Sequence, residues 1–185
     1  MKRARKLKKV KGSLNIAKLR GDVYWEVFCD AALGNINEGQ SQIGYIVSLK
    51  DDSGRVCPIQ WKSNRAKRVA RSATEAEALS LMEAADMVRY LNEVWTEISG
   101  RSGSPVIIKT DSKTLKDAIK SRVPVKPRTL RIDMAGIKEI LDKGEMTVVW
   151  VGKKEQLADS LTKDDASKDK LRRYMFACFV CFVRF

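Results

Sequence analysis

Val23-Tyr24-Trp25-Glu26-Val27-Phe28-Cys29-Asp30 is the stretch on which the fold turns. Val23, Trp25, Val27 and Cys29 share one parity, the mark of a strand with one buried face, and Asp30 stands at its C-terminal end. A polar loop over residues 34–40 leads to a second strand, in which Ile43, Tyr45, Val47 and Leu49 alternate. Asp51-Asp52-Ser53-Gly54 is a turn signal, and Val56-Cys57-Pro58-Ile59-Gln60-Trp61 reads as the return strand of a hairpin. Pro58 lacks an N–H, so this strand suits an edge or a bulge.

Further along, the period changes. A basic connector (Lys62, Arg65, Lys67, Arg68, Arg71) precedes a long helix over about residues 74–98, with Leu79, Met82 and Ala85 on its apolar face and Leu81, Val88 and Trp95 nearby. Residues 99–104 form a Gly/Ser loop. Pro105-Val106-Ile107-Ile108-Lys109-Thr110 is a short apolar strand with Asp111 at its end, and a short helix follows over residues 112–120. Pro124 and Pro127 forbid helix between them. Leu130, Met134, Ile137 and Leu141 then mark another helix, residues 146–151 a last strand, and residues 155–163 a last helix. Hairpins first and crossover helices later give an α/β fold: a mixed five-stranded sheet with helices on both faces. Such an open sheet carries its functional site at strand C-termini, where Asp30 and Asp111 sit.

Composition narrows the chemistry. The chain has 185 residues, 36 Lys+Arg against 23 Asp+Glu, a net charge of +13, 44% hydrophobic residues and no histidine. That is one domain with a real core. Lack of histidine excludes Ser-His-Asp and Cys-His mechanisms and any imidazole base. The positive balance favours an anionic partner, nucleic acid first. Nine of the basic residues lie in residues 1–20, which hold no acid, so the remainder is only +4. No apolar stretch follows this leader, so it is not a secretory signal. Cys29 and Cys57 read as buried thiols, and Cys178 and Cys181 as a lone C-x-x-C in an apolar tail too short to span a bilayer. A cytoplasmic or nuclear location is expected.

Without histidine, phosphodiester hydrolysis calls for two divalent cations held by converging carboxylates. Asp30 and Asp111 are candidates by position, although an Asp before a helix also reads as an N-cap. Glu75 opens the long helix on the face of Leu79 and Met82, so it is expected to point toward the sheet. Ser72-Ala73-Thr74-Glu75 and Thr74-Glu75-Ala76-Glu77 both fit a capping box; if Thr74 is the cap, Glu77 closes the box and Glu75 is spare. Asp159 in the last helix is the fourth candidate. Spacing alone does not select these four from 23 acids.

Four motifs in order do select them. Val27-Phe28-Cys29-Asp30-Ala31, Arg71-Ser72-Ala73-Thr74-Glu75-Ala76-Glu77, Ile107-Ile108-Lys109-Thr110-Asp111-Ser112 and Gln156-Leu157-Ala158-Asp159-Ser160-Leu161-Thr162-Lys163 together resemble the ribonuclease H domain of Copia-type LTR retrotransposon Pol polyproteins. The resemblance covers roughly residues 5 to 173. It implies the ribonuclease H-like fold and a two-metal endonuclease that cuts the RNA strand of RNA–DNA hybrids. It implies Mg²⁺ or Mn²⁺ as the two ions, with Asp30, Glu75, Asp111 and Asp159 as catalytic ligands and Thr74 and Glu77 as the helix cap. A reverse transcriptase polymerase domain is the implied protein partner. Lys62, Arg65, Lys67, Arg68, Arg71 and Lys113 are the expected phosphate contacts. Residues 1–20 resemble a connection segment, residues 21–165 the ribonuclease H-like domain, and residues 166–185 form an apolar tail. One departure stands out. Many ribonucleases H carry a histidine in the loop before the last helix, whereas here the loop is Val151-Gly152-Lys153-Lys154-Glu155, leaving Lys153 or Lys154 for that role. The competing reading is a catalytically silent nucleic-acid-binding remnant or host-retained copy of the same domain.

Overall fold

The computed structural model describes residues 18–36 and 39–176, so the basic leader through residue 17 and the terminal C-x-x-C lie outside the described residues. Five strands, β1 (Val23–Ile36), β2 (Gln40–Asp51), β3 (Val56–Arg65), β4 (Val106–Thr110) and β5 (Thr147–Trp150), form one sheet in the order β3-β2-β1-β4-β5. β1, β2 and β3 pair antiparallel as a meander, and β4 and β5 join in parallel. Among the described residues, five helices accompany them: α1 (Ala73–Ser99), α2 (Lys113–Lys120), α3 (Arg128–Asp142), α4 (Asp159–Thr162) and α5 (Asp169–Phe176). The expected mixed five-stranded sheet with helices on both faces is what forms.

Strand parity sorts the two faces. Trp25, Val27 and Cys29 of β1 join Tyr45, Val47 and Leu49 of β2, and against them pack Leu81, Ala85 and Val88 of α1, Leu115 of α2, and Met134 and Ile137 of α3. Each large apolar side chain buried here contributes roughly 1.5–3 kcal/mol. On the opposite face, Phe28 and Ile46 meet Leu157, Ala158, Leu161, Leu171 and Tyr174 from α4, α5 and the loop before them. Pro58 lies on the edge strand at a bulge: Val47 pairs with Gln60 and Ser48 with Pro58, leaving Ile59 as the extra residue.

Three elements differ from the sequence expectation. β3 runs on through Arg65, so Lys62 and Arg65 belong to a strand and not to a connector. The last motif helix is a single turn, α4, because residues 152–158 are taken up by turns. The packed unit also continues past residue 165. α5 seats Tyr174 on the sheet, its ring edge-on to Phe28 at 5.8 Å and its hydroxyl donating to Glu26 at 2.7 Å. No described helix is long and apolar enough to cross a membrane.

Candidate active site

The parallel pairing of β1 and β4 places Phe28 beside Lys109, so two residues on, Asp30, still within β1, and Asp111, just past the end of β4, stand level with one another. Asp111 is not a cap. Ser112 caps α2, its Oγ accepting from the Leu115 N–H at 3.3 Å, which leaves the Asp111 carboxylate for other work. Trp150 Nε1 donates to the Asp111 carbonyl at 3.1 Å and fixes that backbone.

The Gln156–Lys163 motif brings in the third acid. Gln156 Nε2 donates to the Cys29 carbonyl at 2.9 Å, and its Oε1 accepts from Ala158 N–H at 3.2 Å, so the loop is tied to the residue before Asp30. The carbonyls at the end of α4 are taken up by the sheet: Ser63 Oγ donates to Leu161 O at 2.6 Å and Asn35 Nδ2 to Thr162 O at 2.8 Å. This close seat depends on Gly44, the cross-strand partner of Asp30. A Cβ there would lie 2.9 Å from Leu161 Cβ and 3.0 Å from Thr162 Cγ2. As a result, Asp30, Asp111 and Asp159 each offer a carboxylate oxygen within 4.8 Å of one another.

The helix acid is Glu77, a correction to the expectation for Glu75. Ser72 is the N-cap of α1. Its Oγ accepts from Glu75 N–H at 3.2 Å, and the Glu75 carboxylate reaches back to accept from Arg71 N–H at 2.9 Å. Burial would raise the Glu75 carboxyl, but hydrogen bonds from Thr129 and Arg71 N–H and the charge of Arg68 hold it below its ordinary value. Glu75 therefore completes the cap and lies outside the acid cluster. Glu77 instead shares the stripe of Leu81, Ala84 and Val88, which are 2% exposed or less. It accepts from Ala31 N–H, and burial followed by the charges of Asp30 and Asp111 pushes its carboxyl up to about 9. Its Oε2 is buried with no hydrogen-bond partner. Asp30 is raised to about 6, by burial first and by Asp159 and Asp111 after it, against the lowering effects of Thr162 and Lys163.

Among the described residues, Lys163 is the cation paired with these acids. Lys163 Nζ lies 3.4 Å from Asp30 Oδ1 and donates to Asp159 Oδ1, while Thr162 Oγ1 donates to the other Asp30 oxygen. Burial would lower the ammonium's pKa, but the Asp159 hydrogen bond and the charges of Asp30, Asp159 and Asp111 carry it above its ordinary value. Lys163 belongs to the last motif, but nothing in the sequence assigns it a role. Two capping registers fit the start of α1, and the resemblance selects the one that makes Glu75 the ligand and Glu77 part of the cap. The signal that separates them is the stripe at positions 77, 81, 84 and 88.

The expected phosphate contacts divide. Lys62 is paired with Glu83 at 2.9 Å, and Arg68 with Asp133, so both are engaged within the chain. Arg65, Lys67, Arg71 and Lys113 are exposed and make no ion pair among the described residues. Lys153 and Lys154 are exposed in the loop ahead of α4.

No protein-family model matches the sequence. Over 131 residues, 70% of this chain, the sequence is 31% identical to the retrovirus-related Pol polyprotein from transposon RE1 of Arabidopsis thaliana. It is 29% identical over 132 residues to that of transposon TNT 1-94 of Nicotiana tabacum. The chain spans 9% of the length of these polyproteins. Among solved structures, LC11-RNase H1, isolated from compost, superposes with a TM-score of 0.58 at 19% identity, covering 80% of this chain and 98% of that one. RNase H1 of Halobacterium salinarum gives 0.54 at 18% identity, over 79% of this chain and all (100%) of that one. Prototype foamy virus protease-reverse transcriptase gives 0.51 at 14% identity, over 85% of this chain and 22% of that one. The chain therefore has the ribonuclease H fold and is related in sequence to a segment of the retrovirus-related Pol polyproteins of transposons.

Proposed function

We propose that this chain is a divalent-cation-dependent ribonuclease H that hydrolyses the RNA strand of RNA–DNA hybrids, with Asp30, Glu77, Asp111 and Asp159 holding two Mg²⁺ or Mn²⁺ ions. The observation that carries the reading is the convergence of the Asp30, Asp111 and Asp159 carboxylates beside the parallel pair of β1 and β4, with the buried, unpartnered Oε2 of Glu77 in electrostatic reach of Asp30 and Asp111. Four acids in one place repel, and a hard all-oxygen donor set suits these cations. The residues thus fit the metal. When bound, it acidifies water and neutralises charge on phosphate oxygens.

The chain's own residues do the rest. Asp30 is held by Thr162, and the Gln156 hydrogen bonds fix the loop that carries Asp159, so the donor oxygens are placed before any ion arrives. Arg65, Lys67, Arg71 and Lys113 supply exposed positive charge for a phosphate backbone, a sequence-independent attraction that weakens with salt. The fold neighbours add support of a weaker kind: LC11-RNase H1 has been crystallised with an RNA/DNA hybrid, and the foamy virus neighbour is a reverse transcriptase. By the same likeness, a polymerase domain of a reverse transcriptase is the proposed protein partner.

The test is a labelled RNA–DNA hybrid with Mg²⁺, wild type against Asp111→Asn. Wild-type cleavage that EDTA and the variant both abolish supports the proposal. Hybrid binding without cleavage in any divalent metal would overturn it in favour of the silent binding module.

A further inference from the structure

Lys163 holds a position that the carboxylate reading leaves unexplained. It follows the single turn of α4 with extended backbone (φ −122°, ψ 130°), so it is not a face-on helix partner of Asp159. Its ammonium bridges two elements: Asp159, four residues back, and Asp30 Oδ1, 133 residues away on β1. Asp111 also acts on it electrostatically, and it acts in turn on Glu77. Among the described residues this ammonium thus pairs with two acids of the cluster and is felt electrostatically by the other two.

Such a charge has an evident use and an evident cost. Like charges held this close resist folding, and a cation among them offsets that resistance. The same cation stands among donor oxygens that a divalent ion needs. Two divalent ions would balance four carboxylates and leave the ammonium in surplus. Lysine is suited to leave: it is a point charge on a flexible four-carbon stem, and this side chain is 38% exposed. Arginine, with its rigid fork, would not give way as readily.

Building on the reading of the cluster as a cation site, we propose that Lys163 is a tethered counter-cation. In the metal-free protein its ammonium offsets part of the charge of Asp30 and Asp159, and binding of a divalent ion by these residues displaces it toward solvent. Lys163 is therefore a positioning residue that trades metal affinity for stability of the empty site.

The test is calorimetric titration of wild type and Lys163→Met with Mn²⁺, together with melting curves in EDTA. Loss of a competing unit charge should tighten Mn²⁺ binding roughly tenfold. The same variant should melt lower than wild type in EDTA and regain more of its melting temperature with Mn²⁺. A variant that melts lower but binds Mn²⁺ no tighter would reduce Lys163 to a structural ion pair and overturn the proposal. If neither protein binds Mn²⁺, the cation site itself is wrong and the proposal goes with it. Should Lys163→Met fail to fold, wild type alone decides. Reductive methylation read by mass spectrometry should modify Lys163 faster with saturating Mn²⁺ than in EDTA. An unchanged rate at Lys163 would contradict displacement.

Discussion

Glu26 and Asp30 are two buried carboxylates four residues apart on β1, at 2% and 0% exposure, and they have opposite fates. Burial alone would raise both. Around Glu26 it is overcome: Lys109 Nζ lies at 2.6 Å, the Tyr174 hydroxyl at 2.7 Å and Lys50 Nζ at 3.2 Å, and the carboxyl is held below its ordinary value. Around Asp30 it is not. A hydroxyl and one ammonium face a group surrounded by other acids, and its pKa rises to about 6. The lesson is about compensation. A carboxylate supplied with its own cations is part of the structure, whereas one left short of positive charge is poised to take it from outside.

The largest effect should come from neutralising each in turn. Asp30→Asn should lower cleavage by more than the roughly 10–100-fold typical of an outer-shell partner, and abolish tight Mn²⁺ binding, with the melting temperature held or raised. Glu26→Gln should leave cleavage near wild type and cost about 1–3 kcal/mol, because Lys50 and Lys109 lose a charged partner while keeping partial contact with water. Urea unfolding beside a cleavage assay checks both. If Glu26→Gln destroyed activity in a folded protein, the division between the two carboxylates would fail.

Gly44→Ala is the next largest. The added Cβ meets Leu161 and Thr162 at about 3 Å, so α4 must move away from Asp30. Overpacking of this kind costs roughly 1–3 kcal/mol, and it should weaken Mn²⁺ binding while leaving the Glu26 network intact. A crystal structure of the variant with α4 unmoved would contradict the account of why a glycine sits there.

The smallest effect is on stability against pH, and its sign differs at the two sites. Glu26 has a lowered pKa, so its contribution is present above the ordinary glutamate value and is lost as pH falls through the folded value. Glu77 and Asp30 are raised, to about 9 and about 6, so the folded state holds more protons than the unfolded one across the interval above their ordinary values. Stability of the metal-free protein therefore falls as pH rises through that interval. Melting curves in EDTA should show this alkaline decline, and Mn²⁺ or Glu77→Gln should flatten it. A decline unaffected by Glu77→Gln would mean another group is responsible.

Much of this was legible in the sequence, and the gaps have physical causes. Alternation at Val23, Trp25, Val27 and Cys29 gave β1 its buried face, and the hairpin and later crossovers gave the mixed sheet. Asp30 and Asp111 were recognisable because each follows an apolar strand pattern, although β1 runs on past Asp30 to Ile36 and only Asp111 stands at a strand end. Glu77 was obscured by the alanines of α1: Ala78, Ala84 and Ala85 let the helix lie close to the sheet, yet they carry little hydropathic contrast, while half-buried Leu79 and Met82 draw the eye to the wrong stripe. α5 was missed because Leu171 and Tyr174 are too few to mark an apolar stripe, and part of its attachment is the polar contact of Tyr174 with Glu26, which no apolar periodicity reveals. The position of Lys163 rests on a contact with Asp30, 133 residues away, and no local pattern encodes it.

The most direct measurement is Mg²⁺-dependent cleavage of a labelled RNA–DNA hybrid by Glu77→Gln and Glu75→Gln in parallel. If Glu77 is a metal ligand and Glu75 a cap, Glu77→Gln is inactive at near-normal stability, and Glu75→Gln cleaves at close to the wild-type rate with a melting temperature lowered by the loss of a cap worth about 1 kcal/mol. The reverse pattern, with Glu75→Gln dead and Glu77→Gln active, would contradict the four-carboxylate site described for this fold.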